Sequence, residues 1–365
     1  MSRIDLNQLL ERAHKLGASD IHLRTKLPPV IRVNGKLIKM NYPIIEVTDI
    51  EGFVRQILPL EKRREIPYIK NLDVAYSLPG VCRFRVNIFK QRGTFAIVMR
   101  SIPASIPNID DLNLPPVLKQ IALYQRGLVL VTGTTGSGKS TTLAAMLNEL
   151  NHRDSRVIIT IEDPIEYLHR DNKCIFYQRE IGDDAENFYT ALRAALREDP
   201  DVILVGEMRD VETVKTALDA AETGHMVFST LHTLDAKETI NRVISFFPLN
   251  EQQAIRFQLA SVLKATISQR LIPKADGRGR VPAVEVMIVT EAIKERILNP
   301  ELTEEIPEFI EKGREVYGSQ TFDQSLYELW SKGLITKEDA LKYASRPDDL
   351  KLKMEGIISG GSAKL

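Results

Sequence analysis

The chain has 365 residues, 43% of them hydrophobic, which is enough for two or three domains that each bury a core. Lysine plus arginine and aspartate plus glutamate both number 49, so net charge gives no reason to expect nucleic acid or an anionic membrane as a partner. No apolar run approaches the roughly 18 residues of a membrane span, and the N-terminal residues lack the apolar core of a signal peptide. The two cysteines lie far apart in the sequence and suit neither a disulfide framework nor a zinc ribbon. We therefore expect a soluble, cytoplasmic protein.

Residues 1–100 have the mixed pattern of a small α+β domain. A first helix is predicted from Leu6 onward, with Asp5 as its N-cap. Asn34-Gly35 separates two apolar-patterned runs and predicts a hairpin. Residues 82–88, CRFRVNI, alternate apolar and polar side chains, as a half-buried strand does.

The rest of the chain changes character twice. Residues 101–117 contain four prolines and little periodicity, so we expect a linker there. From 118 to 290, short apolar runs alternate with helix-like segments, which predicts a parallel sheet covered on both faces. Residues 291–365 are charged and helical in pattern, and their last part, GIISGGSAKL, is typical of a loose tail.

A phosphate-binding loop is predicted where the first of these apolar runs ends. VLVTGTTGSGKSTT contains the order GxxxxGKS, in which backbone N–H groups close around phosphate oxygens, the lysine reaches the β- and γ-phosphates and the serine ligates Mg²⁺. A glycine turn is the simpler interpretation, but the strand before the motif and the helix after it favour ATP binding. The expected binding residues are Gly133, Thr134, Thr135, Gly136, Ser137, Gly138, Lys139, Ser140 and Thr141, with Ser140 also at Mg²⁺.

Acidic residues follow two further strands. Glu162 comes after VIITI and Glu207 after VILVG, and open α/β sheets bind ligands at the carboxyl ends of their strands. One such acid is most often a solvated loop residue. Two of them downstream of a phosphate-binding loop indicate hydrolysis, which needs one carboxylate to position water and another to support the metal. At the end of a fourth strand, His232 is expected to sense the γ-phosphate.

The four segments GTTGSGKST, ITIEDPIEY, LREDPDVILVGEMRD and TGHMVFSTLHT resemble the Walker A, Asp-box, Walker B and His-box series of the secretion ATPase superfamily. That superfamily drives type II secretion and type IV pili, and its members carry Gly-Glu where most related ATPases carry Asp-Glu. The resemblance implies that Glu207 is the catalytic carboxylate. It also implies that Glu162 is a second acid at Mg²⁺ and the attacking water, directly or through water. Which of the two is the principal base stays open.

The resemblance covers nearly the whole chain and is closest to the pilus retraction ATPases. It implies an α/β protein with a PAS-like α+β domain at 1–100 and a RecA-like P-loop ATPase domain at 118–290, followed by a helical C-terminal extension. It further implies a homohexamer at the inner face of the inner membrane, acting on a platform protein of the pilus machinery and meeting the membrane only through partners. A coupling segment of the family appears here as AIRFQLA, in which Ala254, Ile255 and Arg256 match firmly.

Arginines on one face of the first domain have two interpretations. Arg85 lies on the polar side of the alternating strand, and Arg100 follows on the next strand. Such a row is most often a solvated sheet face. In related ATPases, arginines of the N-terminal domain approach the nucleotide as fingers that stabilise the transferring phosphoryl group, a role that suits the planar guanidinium. Whether a finger would act within its own chain or across a subunit boundary stays open.

Three other functions share part of this pattern. A paralogous pilus or secretion ATPase would have the same motifs. A RecA-type nucleic-acid motor would share the fold, but the balanced charge and the lack of a basic and aromatic stripe weigh against direct binding of nucleic acid. A regulator that binds ATP without hydrolysing it is disfavoured by the two acids at 162 and 207.

Overall fold

The computed structural model describes residues 3–102 and 105–357. The chain divides into two compact units, Met1–Ser105 with Glu166–Leu168, and Ile106–Ile165 with His169–Leu365. Residues 103–104 of the predicted linker and 358–365 of the predicted tail lie outside the described residues. Within the described ranges, no helix is long and apolar enough to cross a membrane.

The first unit is a six-stranded antiparallel sheet with two α-helices and one 3₁₀ helix. The strands are β1 (Asp20–Arg24), β2 (Val30–Val33), β3 (Lys36–Lys39), β4 (Asn71–Leu78), β5 (Cys82–Gln91) and β6 (Thr94–Ser101). The helices are α1 (Leu6–Lys15), α2 (Val47–Ile57) and the 3₁₀ segment Lys62–Tyr68. In space the strands follow the order β3-β2-β1-β6-β5-β4.

Local sequence signals explain these elements. The Asp5 side chain accepts a hydrogen bond from Gln8 N at 3.0 Å and caps α1. Asn34-Gly35 forms the turn between β2 and β3, both residues with positive φ. On β5, Phe84 is buried in the core of this unit and Arg85 is exposed, as the alternating pattern predicts.

The second unit contains a seven-stranded sheet and the remaining helices. Its strands are β7 (Gly127–Thr132), β8 (Val157–Glu162), β9 (Ile175–Glu180), β10 (Val202–Val205), β11 (Met226–Leu231), β12 (Leu263–Pro273) and β13 (Arg280–Ile288). Its helices before β12 are α3 (Val117–Ile121), α4 (Lys139–Arg153), α5 (Phe188–Ala195), α6 (Val211–Glu222), α7 (Ala236–Ser245) and α8 (Gln252–Val262). After β13 come α9 (Glu291–Leu298), the 3₁₀ helix Pro300–Glu305, α10 (Ile306–Lys312), α11 (Arg314–Tyr317), α12 (Phe322–Ser331), α13 (Lys337–Tyr343) and α14 (Pro347–Met354).

The seven strands follow the order β13-β12-β7-β11-β10-β8-β9. Six of them run parallel, as the near-continuous apolar runs predict, and the edge strand β13 pairs antiparallel with β12. Separate apolar cores cover the two faces, and Ile297 and Ile310 from the helices after β13 pack into one of them. A further cluster joins α12 to the outer part of β12 and β13.

A buried carboxylate joins β13 to the start of α7. Glu285 is 6% exposed, and its Oε1 accepts a hydrogen bond from Ala236 N at 2.8 Å. Burial raises the pKa of Glu285 to about 7. The negative charges of Asp235 and Asp323 also raise this pKa, whereas the Ala236 N–H and Arg270 lower it.

This carboxylate predicts a pH-dependent stability. Between pH 4.5 and about 7 the folded chain keeps a proton on Glu285 that the unfolded chain has lost, so the free energy of unfolding falls as pH rises through this window. The loss expected from this group is about 3 kcal/mol. Glu285→Gln, a neutral replacement of similar size, should match the wild type near pH 5 and exceed its stability at pH 8. Urea unfolding at both pH values tests this, with the exposed Glu186→Gln as control; a pH-independent difference from wild type would contradict it.

Candidate nucleotide-binding site

The predicted phosphate-binding loop connects β7 to α4, and its backbone requires glycine at the first position. Gly133 has φ 140°, outside the range that other residues adopt readily. A Cβ placed there would lie 2.5 Å from the backbone oxygen of Gln269 and 2.6 Å from Ser137 Oγ. The loop can therefore turn back toward β12 only because this residue has no side chain.

Polar groups inside the loop are arranged to receive an anion. Lys139 is 9% exposed, and its Nζ donates hydrogen bonds to the carbonyl oxygens of Gly133 at 2.8 Å and Thr134 at 3.2 Å. Ser137 Oγ is buried and has no hydrogen-bond partner among the described residues. A buried cation and a buried unpaired hydroxyl beside a helix N-terminus fit the phosphates of a nucleotide.

The remaining loop residues lie at its tip and at the start of the helix. Thr134, Thr135 and Gly136 are exposed. Gly138, with φ 94°, is the N-cap of α4. Ser140 and Thr141 lie in the first turn of that helix and are partly exposed.

The other candidate residues follow neighbouring strands of the same sheet. β7 pairs with β11, β11 with β10, and β10 with β8, all in parallel register. The carboxyl ends of these four strands therefore meet at one edge. His232 follows β11, Glu207 lies just beyond β10, and Glu162 is the last residue of β8. The sheet thus brings both acids and the histidine to the edge where the phosphate-binding loop begins.

Glu207 is held by two basic side chains. Its Oε2 accepts a hydrogen bond from Arg209 Nε at 2.9 Å and lies 2.9 Å from Arg209 Nη2, and its Oε1 lies 3.1 Å from His232 Nε2. The hydrogen bond to Glu207 raises the pKa of Arg209, which therefore stays charged. Arg209 Nη1 also lies 3.5 Å from Asp163 Oδ2. Arg209 thus links the acids that follow β8 and β10.

Gly206, which stands where most related ATPases carry aspartate, lies close to the end of β8. Gly206 N donates to the carbonyl of Ile161 at 2.7 Å. A Cβ on Gly206 would lie 3.0 Å from that same carbonyl oxygen and 3.3 Å from Glu162 Cα. A side chain at this position would therefore require the end of β8 to shift by a few tenths of an ångström, and the first acid after β10 is Glu207.

Glu162 has a different environment from Glu207. Its Oε1 accepts hydrogen bonds from Thr160 Oγ1 at 2.6 Å and from Gln178 Nε2 at 3.3 Å. Both donors are uncharged. Sequence reasoning missed Gln178, which lies on the unpredicted strand β9, and did not single out Arg209.

The structure places the other candidates away from this sheet edge or in the other unit. In the first unit, Arg85 and Arg100 lie directly opposite each other on β5 and β6. Arg100 Nε donates to Asp20 Oδ1 at 2.9 Å, and its side chain is 72% exposed.

On α8, the three coupling candidates differ in exposure. Ala254 is exposed, whereas Ile255 and Arg256 are buried. Arg256 Nη1 donates to the carbonyl of Ile297 at 3.0 Å, and burial lowers the pKa of its guanidinium. The next residue, Phe257, is 58% exposed. Arg256 therefore ties α8 to the end of α9, whereas Ala254 and Phe257 lie on the exposed face of α8.

Comparison with known proteins identifies the family. The family model described as Type II/IV secretion system protein matches residues 2–339. The chain belongs to this family. The predicted membership of the secretion ATPase superfamily is thereby confirmed, and the mixed α/β architecture is that of its ATPases.

Two curated relatives and one solved structure are similar over almost their full lengths. The type IV pilus retraction ATPase PilT of Pseudomonas aeruginosa is 45% identical over 95% of this chain and 100% of its own length. The type IV pilus ATPase PilU of the same organism is 39% identical over 96% of this chain and 92% of its own. A crystal structure of the pilus retraction motor PilT with bound ADP has a TM-score of 0.86 at 44% identity, covering 96% of this chain and 99% of that one.

Proposed function

We propose that this chain is an ATP-hydrolysing motor that powers type IV pilus retraction and thereby twitching motility. The observation that carries the proposal is 45% identity, over 95% of the chain, to a relative that bears this function in its name. A phosphate-binding loop and two acids at one sheet edge supply the chemistry that such a motor needs.

In this proposal the loop binds ATP and the acids act on its γ-phosphate. Lys139 exchanges its two loop carbonyls for phosphate oxygens, which are stronger partners for an ammonium group. Ser140 and Glu162 hold Mg²⁺, directly or through water; when bound, this ion neutralises developing charge on the phosphates. No group of three His, Cys, Asp or Glu side chains in the described ranges could hold a metal alone, which suits Mg²⁺ bound largely by phosphates and water.

Glu207 is proposed to orient the attacking water and accept its proton. In the structure both of its oxygens are engaged, one by Arg209 and the other by His232. We assign the sensing role of His232 to this contact: when His232 turns to the γ-phosphate, it releases Glu207 Oε1 for water.

The finer assignments complete the proposal. The first unit is PAS-like, the ATPase unit is RecA-like, and six copies form a ring at the cytoplasmic face of the inner membrane. Arg85 and Arg100 are fingers toward the nucleotide. Like charges directly opposite on a sheet destabilise it, and two guanidinium groups in that position are well suited to share an anion.

Coupling to the inner-membrane platform protein is assigned to α8. Here Phe257 presents an exposed aromatic ring next to Ala254, whereas Arg256 fixes the helix against α9. We expect both Phe257→Ala and Arg256→Ala to abolish retraction with basal ATP turnover within a few-fold of wild type. Only Arg256→Ala should lower the unfolding temperature, because only that change leaves a buried carbonyl without its donor.

Cells of the host bacterium test both the function and the coupling surface. A strain that lacks this chain should carry many surface pili and fail to twitch, and the wild-type gene should restore movement. Bald cells would point to pilus extension and overturn the proposal. Phe257→Ala should fail to restore twitching, whereas Val316→Ala, which removes an exposed apolar side chain elsewhere in the same unit, should restore it. Twitching with Phe257→Ala would remove α8 from the coupling surface.

A further inference from the structure

Two neighbouring strands hold the same oxygen of Glu162. β8 and β9 are parallel, and Thr160 on β8 is in register with Gln178 on β9. Both side chains donate to Glu162 Oε1, Thr160 Oγ1 at 2.6 Å and Gln178 Nε2 at 3.3 Å. The carboxylate at the end of β8 is therefore oriented by side chains of two strands.

The other end of the Gln178 amide is also fixed. Its Oε1 accepts a hydrogen bond from His169 N at 2.8 Å, so the NH₂ group must be the end that faces the carboxylate. The His169 ring in turn stacks on Phe176 with centroids 4.4 Å apart and planes within 5°. Gln178 thus cannot turn its amide without breaking a hydrogen bond at both ends.

We propose that Gln178 is a positioning residue for ATP hydrolysis, holding the Glu162 carboxylate in the orientation that supports bound Mg²⁺. This inference rests on the proposed function of Glu162. The NH₂ group of the amide donates to Glu162 Oε1, and its oxygen accepts from the His169 backbone N–H. An alternative role, limited to holding the His169 backbone, would depend only on the hydrogen bond that Gln178 Oε1 accepts from His169 N.

Two replacements separate these roles. Gln178→Glu keeps an acceptor for His169 N and places a carboxylate against Glu162, whereas Gln178→Leu loses both hydrogen bonds at similar size. A positioning role predicts that Gln178→Glu is at least as damaging as Gln178→Leu, with kcat lowered about tenfold or more and KM for ATP within twofold. A purely structural role predicts the opposite, with Gln178→Glu close to wild type.

The test measures ATP turnover and, independently, the gain in affinity for a fluorescent ATP analogue when Mg²⁺ is added. We expect Gln178→Glu to reduce this gain severalfold and to leave Mg²⁺-free affinity unchanged. In a Glu162→Gln background the same replacement should have no further effect. Tyr177→Ala, at the exposed neighbouring position of β9, serves as control and should behave as wild type.

Different results contradict different parts of the inference. The role of Gln178 alone would be overturned if Gln178→Glu kept wild-type turnover and a wild-type gain in nucleotide affinity on adding Mg²⁺, while Glu162→Gln lost turnover. Wild-type behaviour of Glu162→Gln in both measurements would remove the function proposed for Glu162, and the positioning role with it.

Discussion

Lys139→Ala is expected to abolish measurable ATP turnover and to weaken ATP binding by about a hundredfold or more. Charge-assisted hydrogen bonds contribute about 1.5–3 kcal/mol each, and the ammonium group is proposed to make them with both the β- and γ-phosphates. In the structure the same Nζ donates to the carbonyls of Gly133 and Thr134. The alanine variant therefore loses both the ligand contact and an internal tie of the loop.

Titration with a fluorescent ATP analogue and a phosphate-release assay measure the two effects. Lys215→Ala, which removes an exposed lysine from α6 of the same unit, is the matched control and should leave both values near wild type. Thermal unfolding of each variant separates loss of binding from loss of fold. Near-normal turnover by a folded Lys139→Ala protein would refute the assignment of this loop as the phosphate site.

The features that sequence alone could predict are the local ones. The loop motif, the strand before it and the helix after it are contiguous, so one segment specifies the binding residues and their conformation. The placement of Glu162 and Glu207 at one edge required one further rule, that parallel strands end together. The Asn34-Gly35 hairpin and the alternation in β5 are equally local and were predicted correctly.

The features that sequence could not predict depend on contacts between distant segments. β9 has the sequence IFYQRE with partly exposed alternate positions, because it is an edge strand, so it lacks the apolar run that marks its neighbours. Because β9 was not predicted, there was no strand pairing from which the contact between Gln178 and Glu162 could be inferred. The β12–β13 hairpin was missed as well, although ADGRG between these strands is a turn signal.

The contacts between side chains could not be predicted from the sequence pattern either. Arg209 follows Glu207 by two residues, and the sequence pattern does not show that its guanidinium contacts that carboxylate. Arg256 matches a coupling segment of the family, and its role in coupling stays a prediction. The sequence pattern does not show that its side chain is buried and donates to the carbonyl of Ile297 at the end of α9.

Glu207→Gln should retain nucleotide binding and lose turnover by about 10²–10⁴-fold, the range for a lost general base. The amide keeps the size of the carboxylate. Its oxygen can still accept from Arg209, and its NH₂ group can donate to the His232 ring in the tautomer that leaves Nε2 unprotonated. The site should therefore stay assembled, and the loss should appear in kcat with ATP affinity within a few-fold of wild type.

The comparison with Glu162→Gln decides which acid is the principal base. Phosphate release under saturating ATP gives kcat for each variant, and the exposed Glu212→Gln, a few residues further along in α6, controls for loss of a surface charge. If Glu207 is the base, its variant loses turnover even when Mg²⁺ is saturating, whereas the defect of Glu162→Gln shrinks as Mg²⁺ is raised because that acid supports the metal. The reverse pattern, in which Glu207→Gln keeps most of its turnover and Glu162→Gln keeps none at any Mg²⁺ concentration, would exchange the two roles. In that case the contacts of Glu207 with Arg209 and His232 would be a structural clamp, and the water would be oriented by the carboxylate that Thr160 and Gln178 hold.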